Sequence, residues 1–342
     1  MKPDVIRHLE GESLGRFPVW MMRQAGRYLQ TYRDIRKENS FWEMVSRPEV
    51  AARVSLLPLE VLDVDAVIFF SDILTLPYGL GVPVELHEGV GPVLPAPLRS
   101  ENDFATFESF DPSTHTKFVG DALTRIREGL HPSKALFGFA GAPWTVASYL
   151  IEGRSSREFR HLLGWMQKDP QGLARVLQTL AEATTRYLEY QIRSGAHAVQ
   201  LFDTWASVLP LNFYEQYYLP IVNGVFEKLA PLGVPRIYYF KQAAHLAPAV
   251  AKLRADVLSV DSNLTLPEWS QLFEGRFSLQ GNLDPTTLLL DEATVRAKTR
   301  ELVQQAGTLA KPAILNLGHG ILKDVPVANA KAFVDEARQL WV

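Results

Sequence analysis

Two arginines lie four positions apart in the run Met22-Arg23-Gln24-Ala25-Gly26-Arg27-Tyr28, near the start of the chain. Two guanidinium groups held close together repel each other unless an anion lies between them. The planar guanidinium also fits a carboxylate or a phosphate through two parallel hydrogen bonds. The run therefore suggests a site for a ligand with several negative charges. The alternative is an ordinary surface helix that carries two arginines.

Composition limits what such a ligand could be. The chain has 342 residues, of which 47% are hydrophobic and 21% charged, as is typical of globular proteins. Its 35 basic and 38 acidic residues give a net charge of −3, whereas nucleic-acid-binding proteins usually carry a strong basic excess. A nearly neutral protein must bind an anion with positive charge that is focused in a cleft.

Several kinds of chemistry have no support in the sequence. The chain contains no cysteine, which excludes disulfides, thiolate metal sites and a thiol nucleophile. The sequence also lacks four known motifs: the histidine pair of metalloproteases, the glycine-rich phosphate-binding loop, the glycine motif of dinucleotide-binding proteins and the Gly-x-Ser-x-Gly motif of serine hydrolases. No apolar run approaches the roughly 18 residues of a membrane span. The start of the chain is too polar for a secretory signal, so we expect a cytoplasmic location.

The elements that must position the arginines alternate along the chain. Short apolar runs, typical of strands buried on both faces of a parallel sheet, are separated by longer helical patterns. The predicted strands are 18–22, 66–70, 135–140, 198–202, 236–240, 257–260, 277–280 and 313–317. The predicted helices are a short one within 1–16 and those at 48–62, 116–129, 145–165, 171–194, 213–229, 242–253, 266–273, 293–305 and 327–340.

This alternation predicts a (β/α)8 barrel formed by a single domain over residues 1–342. A doubly wound open sheet is the alternative architecture. One stretch departs from the pattern, because residues 76–98 are rich in glycine and proline and alternate apolar with polar residues around 82–86. That stretch predicts a β-hairpin inserted after the second strand.

In a barrel of this kind the chemistry lies in the loops that follow the strands. His319, between two glycines that would let a ligand approach closely, occupies such a loop after the last strand. We therefore expect the polar residues at the other strand ends to share one rim with it. These residues are Arg23, Arg27, Asp72, Tyr149 and Thr204.

Each of these residues also has a structural interpretation. Asp72 could cap a helix, or its carboxylate could lie beside the arginines and bind a ligand. Asp203 and Thr204 are also good capping residues, so the same two interpretations apply to them. Tyr149 lies inside a predicted helix, where tyrosine more often packs than reacts. The run 282–285 is best interpreted as a turn followed by a helix cap.

The chain resembles the uroporphyrinogen decarboxylase family of haem biosynthesis in its motifs and in their order. The arginine run and the run Gly141-Ala142-Pro143-Trp144-Thr145 are specific to that family. Further matching runs lie at 70–74, 200–203, 279–285 and 316–320. The resemblance implies a (β/α)8 barrel, usually a homodimer, that needs neither metal nor organic cofactor. Its substrate would be uroporphyrinogen, whose acetate arms lose carbon dioxide in turn to give coproporphyrinogen.

The resemblance also implies roles for the candidate residues. Catalysis would fall to Asp72, Arg23 and Tyr149, with Asp72 facing the pyrrole N–H groups of the substrate. Arg23 and Arg27 would bind carboxylates of the substrate, and Tyr149 and Thr204 would lie near the reacting acetate. His319 would contact a propionate or another polar edge. Apolar walls would come from Ile68, Phe70 and Phe139.

The chain departs from the family pattern in three of the loops that follow strands. Thr204 stands where serine is common, and Ser207 where glycine is usual. The run 260–263 lacks an expected Asp-Trp pair. Gln242 follows Lys241 at a position where the family has glycine. These departures leave the proposed anion-binding and acid–base groups in place.

Three other functions are compatible with parts of the sequence. A corrinoid-dependent methyltransferase of the same superfamily would typically need His and Cys zinc ligands, and the chain has no Cys. A tetrapyrrole carrier would bind the substrate without turnover. A glycosidase would need two carboxylates at strand ends, for which Asp72 and Asp203 are the candidates, but it would leave the arginine pair unexplained.

Overall fold

Strands and helices alternate along most of the chain, and the computed structural model describes residues 1–87 and 91–339. The strands are β1 Ala66–Ile68, β2 Glu85–His87, β3 Gly91–Val93, β4 Ala135–Gly141, β5 Ala198–Asp203, β6 Arg236–Phe240, β7 Val257–Ser259, β8 Ser278–Leu283 and β9 Ala313–Leu317. The helices are α1 Asp4–Leu9, α2 Gln30–Glu38, α3 Phe41–Ser46, α4 Pro48–Leu62, α5 Thr75–Gly79, α6 Pro112–His115, α7 Lys117–Gly129, α8 Pro143–Glu152, α9 Arg160–Lys168, α10 Pro170–Arg193, α11 Leu211–Phe213, α12 Leu219–Leu229, α13 Ala247–Val250, α14 Leu266–Leu272, α15 Glu292–Gly307 and α16 Val327–Ala337. Within these described ranges, no helix combines the length and apolar character that crossing a bilayer requires.

Seven strands form a curled parallel sheet in the order β1-β4-β5-β6-β7-β8-β9. Residues 18–20, which we term the closing segment, lie between the two ends of this sheet. On one side Trp20 N–H donates to the Leu315 carbonyl (3.2 Å) and Leu315 N–H donates to the Pro18 carbonyl (2.9 Å). On the other side Asp65 N–H donates to the Val19 carbonyl (2.8 Å). The predicted (β/α)8 barrel is confirmed, although its first strand is reduced to one bridge at Val19.

A single carboxylate holds this seam together. The side chain of Asp65 is 1% exposed and accepts hydrogen bonds from Val19 N–H (3.0 Å) and from both terminal nitrogens of Arg16 (2.7 and 2.9 Å). The Asp65 carbonyl accepts a further bond from Ala135 N–H at the start of β4 (2.9 Å). Asp65 therefore connects the closing segment to the two strands that follow it in the barrel.

The predicted hairpin is also present. Strands β2 and β3 pair antiparallel, with Glu85 opposite Val93. Residues 88–90, which join the two strands, and residue 340, the predicted end of the last helix, lie outside the described residues.

Some predicted helix boundaries were wrong. The single helix predicted at 145–165 is divided into α8 and α9, because Gly153 takes a left-handed backbone conformation (φ 77°) that ends α8. The helix predicted at 213–229 begins with a π-helical turn, Tyr214–Tyr218, before α12. The helix predicted at 242–253 is reduced to a 3-10 turn and α13. Helices α2 and α3 were not predicted, although a Ser40–Glu43 capping box marks the start of α3.

Replacement of Asp65 with Asn should destabilise the protein by about 3 kcal/mol, because Arg16 would keep a mostly buried charge with only the more distant Asp4 carboxylate (3.4 Å) as an ionic partner. Urea unfolding measures this change. Asp63→Asn is the matched control, since Asp63 belongs to the same ionic cluster but its side chain is 66% exposed. Equal losses in the two variants would show that the barrel seam does not depend on Asp65.

Candidate active site

The arginine run folds into a tight turn whose other residues serve the scaffold. The buried Gln24 side chain accepts a hydrogen bond from Met21 N–H (3.0 Å) and donates one to the Ala66 carbonyl at the start of β1 (2.9 Å). The buried Tyr28 hydroxyl donates to the Gln24 carbonyl (2.8 Å). A Cβ atom on Gly26 would lie 2.8 Å from the Arg23 carbonyl oxygen, so only glycine fits there. The turn therefore fixes the backbone from which both arginines project.

Arg23 is held beside the loop that follows β9. Its neighbour Met22 accepts a hydrogen bond from Ile321 N–H (2.9 Å) and donates one to the Asn316 side chain (2.9 Å). Arg23 itself has left-handed backbone geometry (φ 62°), and its side chain covers Gly320 so closely that a Cβ atom there would overlap it.

Both arginines, Arg23 and Arg27, are exposed. Among residues 1–87 and 91–339, no carboxylate lies within 4.0 Å of either guanidinium. Arg23 thus brings to the rim a positive charge that no carboxylate in the described part of the protein neutralises directly. This is the arrangement expected for an anion-binding cleft.

Asp72 lies in the turn between β1 and α5 and is partly buried. One carboxylate oxygen accepts a hydrogen bond from Leu74 N–H (2.8 Å), while the Asp72 N–H donates to the Thr75 hydroxyl (3.1 Å). Burial raises the pKa of Asp72, against the opposing effects of the Leu74 N–H and the Arg23 guanidinium. Asp72 therefore supports the turn before the helix and also shares an electrostatic environment with Arg23.

Tyr149 is partly exposed, whereas the other residues from Pro143 to Leu150 in α8 are buried. Its ring centroid lies 6.5 Å from that of Trp205, beyond the end of β5. Burial raises the pKa of Tyr149, and the nearby Asp72 charge acts in the same direction while Arg23 opposes it. Tyr149 thus lies within electrostatic reach of both charged residues at the rim.

Aromatic rings form a continuous band inside the barrel mouth. Successive ring centroids are 5.1, 5.5, 5.5 and 6.1 Å apart. The members of this band, in order, are Phe69, Phe139, Phe202, Tyr239 and His319. Of this set, only Phe139 and His319 were predicted from the sequence. Phe69, Phe202 and Tyr239 belong to other strands, and strands that are apolar on both faces show no alternation that would have identified these residues as inward-facing.

The predicted wall residue Phe70 lies elsewhere. Its ring packs against Tyr32 of α2 (5.8 Å) and Phe41 of α3 (5.5 Å), not within the aromatic band. Ile68, two residues earlier at the end of β1, is partly exposed. The structure therefore places Phe69 in the band and Phe70 beside the helices that precede β1.

His319 is neutral in this environment. Its Nδ1 atom lies 2.8 Å from the Tyr239 hydroxyl, which is also 3.2 Å from the Gly318 carbonyl oxygen. Burial lowers the pKa of His319 to about 3, and the positive charges of Arg23 and Lys241 act in the same direction. His319 can therefore offer hydrogen bonds at the rim but not a positive charge.

Asp203 and Thr204, at the end of β5, lie in different surroundings. The unexposed Asp203 carboxylate points into the helix layer and accepts hydrogen bonds from the hydroxyls of Thr145 (2.7 Å), Tyr218 (2.8 Å) and Tyr238 (2.7 Å). Burial raises its pKa, against the effect of these donors. Asp203 therefore has a structural role and does not pair with Asp72 as a glycosidase would require. Thr204 is partly buried at the rim.

Two further observations concern the remaining predictions. The carboxylate of Asp284 accepts a hydrogen bond from Thr286 N–H (2.8 Å), which confirms the predicted helix cap. Among the described residues, no group of three or more His, Cys, Asp or Glu side chains is arranged to hold a metal ion.

The fold and the site define a (β/α)8-barrel protein whose mouth combines exposed arginines, a partly buried carboxylate and a band of aromatic rings. Such a mouth suits a ligand with an apolar body and several anionic arms.

The chain belongs to the uroporphyrinogen decarboxylase (URO-D) family, whose model matches residues 2–340. A uroporphyrinogen decarboxylase from Synechococcus sp. (strain JA-3-3Ab) is 38% identical over 337 residues, covering 98% of this chain and 92% of that protein. One from Aquifex aeolicus (strain VF5) is 38% identical over 333 residues, covering 97% of this chain and 96% of that protein. The resemblance inferred from the motifs is confirmed.

A methyltransferase from Methanosarcina mazei has a similar structure, with a TM-score of 0.82 over 98% of this chain and 97% of its own. The two sequences are 19% identical, so this likeness shows the shared fold alone.

The neutral state of His319 can be measured directly. Because its pKa in the folded protein is about 3, the imidazole NMR signals should stay at neutral-form positions from pH 8 to pH 5. The His319→Gln variant identifies the signals, and free imidazole in the same sample is the internal reference. The unfolded chain binds this proton near pH 6.5, so the contribution of His319 to stability is complete above that pH and declines toward pH 3. A titration midpoint near 6.5 would contradict this environment.

Proposed function

We propose that this protein is a uroporphyrinogen decarboxylase that converts uroporphyrinogen III to coproporphyrinogen III in haem biosynthesis, without metal or organic cofactor. The observation that best supports this proposal is the partly buried Asp72 carboxylate, which shares the barrel mouth with Arg23. A neutral pyrrole macrocycle with carboxylate arms needs both an acceptor for its N–H groups and cations for its arms.

Loss of carbon dioxide from an acetate arm leaves an electron pair that needs an acceptor. Protonation of the pyrrole α-carbon next to the carbon that bears the arm provides one, because the ring then carries a positive charge that is conjugated with the arm-bearing carbon. When the bond to the carboxylate breaks, its electrons neutralise the ring and carbon dioxide leaves. The exocyclic carbon then takes up a proton and the proton on the ring carbon leaves, which restores the aromatic pyrrole and leaves a methyl group. Each carbon dioxide lost therefore consumes one proton overall.

Asp72 supplies the electrostatic part of this reaction. Pyrrole N–H groups that donate to its carboxylate favour the ionised form, and so oppose the effect of burial on its pKa. The ionised carboxylate then stabilises the ring cation in a site of low effective dielectric constant. The same group binds the substrate and stabilises the charge that develops during the reaction.

The other predicted residues complete the proposed site. Arg23 and Arg27 bind carboxylate arms and fix the geometry of the reacting one, and Arg23 takes part in proton transfer. Tyr149 and Thr204 donate hydrogen bonds near the reacting acetate, and His319 contacts a propionate or another polar edge of the substrate. Of the three predicted apolar walls, Ile68 and Phe139 are kept in the proposal, whereas Phe70 packs against Tyr32 and Phe41 outside the aromatic band.

The proposal also covers how the chain is organised. We propose that residues 1–342 form one domain, because the barrel is closed by residues 18–20 and 313–317 from opposite ends of the sequence. A homodimeric state and a cytoplasmic location are further parts of the proposal. Sedimentation analysis and localisation of the full chain would test them.

Asp72→Asn should lower kcat for the first decarboxylation by about 100-fold or more, because the amide cannot neutralise the ring cation. The measurement is anaerobic turnover of uroporphyrinogen III, with the products oxidised and separated by their number of carboxyl groups. Asp284→Asn is the matched control, since Asp284 also follows a strand but caps a helix, which asparagine does equally well.

Two results would contradict the proposal. Unchanged binding and an unchanged rate in Asp72→Asn would remove the proposed role of that residue. Binding without turnover in the unmodified protein would favour a tetrapyrrole carrier, and the Thr204 and Ser207 departures would then be the first positions to restore.

A further inference from the structure

Lys241 lies across the barrel mouth from the arginines. Around the closed barrel the order is the closing segment, β1, β4, β5, β6, β7, β8 and β9. Arg23 follows the closing segment and Lys241 follows β6, which stands four positions away in either direction. The backbones of these two residues therefore lie on opposite sides of the same rim.

The alternation of β6 directs Lys241 toward the barrel mouth. Tyr239 points inward, where it stacks on His319 (6.1 Å) and contacts Phe202 (5.5 Å). Phe240 points outward, against Trp269 of α14 at 5.5 Å. The next residue in this alternation faces inward again. The partly buried Lys241 ammonium also lies close enough to His319 for its charge to lower the pKa of that imidazole.

The backbone after Lys241 is fixed by an unusual turn. Gln242 has left-handed geometry (φ 52°), and its N–H donates to the buried Asp261 carboxylate beyond β7. Asp261 also accepts hydrogen bonds from the backbone and side-chain nitrogens of Asn263 (3.0 and 3.3 Å). Its oxygens are thus occupied by N–H donors, and it secures the loop instead of pairing with Lys241.

Lys241 has no carboxylate within 4.0 Å in the described part of the chain. A partly buried ammonium in that setting needs a counter-charge that a ligand can supply. The anionic arms of the substrate on the side opposite the arginines are the groups within its reach.

We propose that Lys241 is a substrate-binding residue that pairs with a propionate carboxylate on the side of the macrocycle opposite Arg23 and Arg27. This inference rests on the proposed function. A propionate is the arm required, because acetates are removed in turn while every pyrrole keeps its propionate. A pyrrole that has already lost the carboxylate of its acetate arm still carries its propionate. A residue that faces such a pyrrole can therefore bind only a propionate.

The test is equilibrium binding of coproporphyrinogen III under anaerobic conditions, followed by quenching of tryptophan fluorescence. This ligand carries propionates and no acetates, so binding requires no turnover. Lys241→Gln should weaken binding by about tenfold, the loss of one charge-assisted contact, and should reduce its dependence on salt. Lys241→Arg should restore most of the affinity. Lys228→Gln, at an exposed position on α12, is the matched control and should bind as the unmodified protein does.

Each outcome separates this inference from the proposed function. Unchanged binding by Lys241→Gln, with normal uroporphyrinogen turnover by the unmodified protein, would overturn the lysine contact alone. Weaker binding that Lys241→Arg does not restore, accompanied by a lower melting temperature, would show a structural role and would also overturn it. Weakened binding with no turnover by the unmodified protein would support the propionate contact and reject the decarboxylase.

Discussion

The buried carboxylate of Asp65 is the interaction on which the rest of the architecture depends. It accepts hydrogen bonds from Arg16 and from Val19 N–H, while its own backbone pairs with Val19 and Ala135. The closing segment forms one bridge, to β9. Strand pairing alone is therefore too weak to hold this segment in the barrel. The ionic contact therefore completes the barrel at the side where the sheet is weakest, and it does so at the end opposite the proposed site.

Closure of the seam creates the electrostatic character of the rim. It brings the turn that carries Arg23 against the loop that carries His319, and Gly320 allows the two to meet. Arg23 then opposes the effect of burial on the pKa of Asp72 and adds to the effect of burial on the pKa of His319. One cation thus favours an ionised carboxylate and a neutral imidazole at the same time.

Much of this arrangement could be predicted from the sequence, because strand ends in a parallel barrel share one rim. What could not be predicted is the face that each side chain occupies. Strands buried on both faces are apolar throughout and lack the alternation that separates inside from outside. For this reason Phe69 and not Phe70 lies in the aromatic band, and Asp203 turns to the helix layer. The break at Gly153 was visible as a glycine, but its left-handed conformation depends on packing against the hairpin, where a side chain would strike Pro97.

The closing segment has a consequence for how the protein is made. Its bridge joins Val19 to Leu315, so the contact spans almost the whole chain. Loop closure over such a separation is entropically costly and contributes little until both partners exist, so it belongs to the late stages of folding. During synthesis, residues 18–20 leave the ribosome early and must wait for β9 before they can pair. Arg23 and His319 therefore meet only when nearly all of the chain has been synthesised, and an incomplete chain does not present the assembled anion-binding rim.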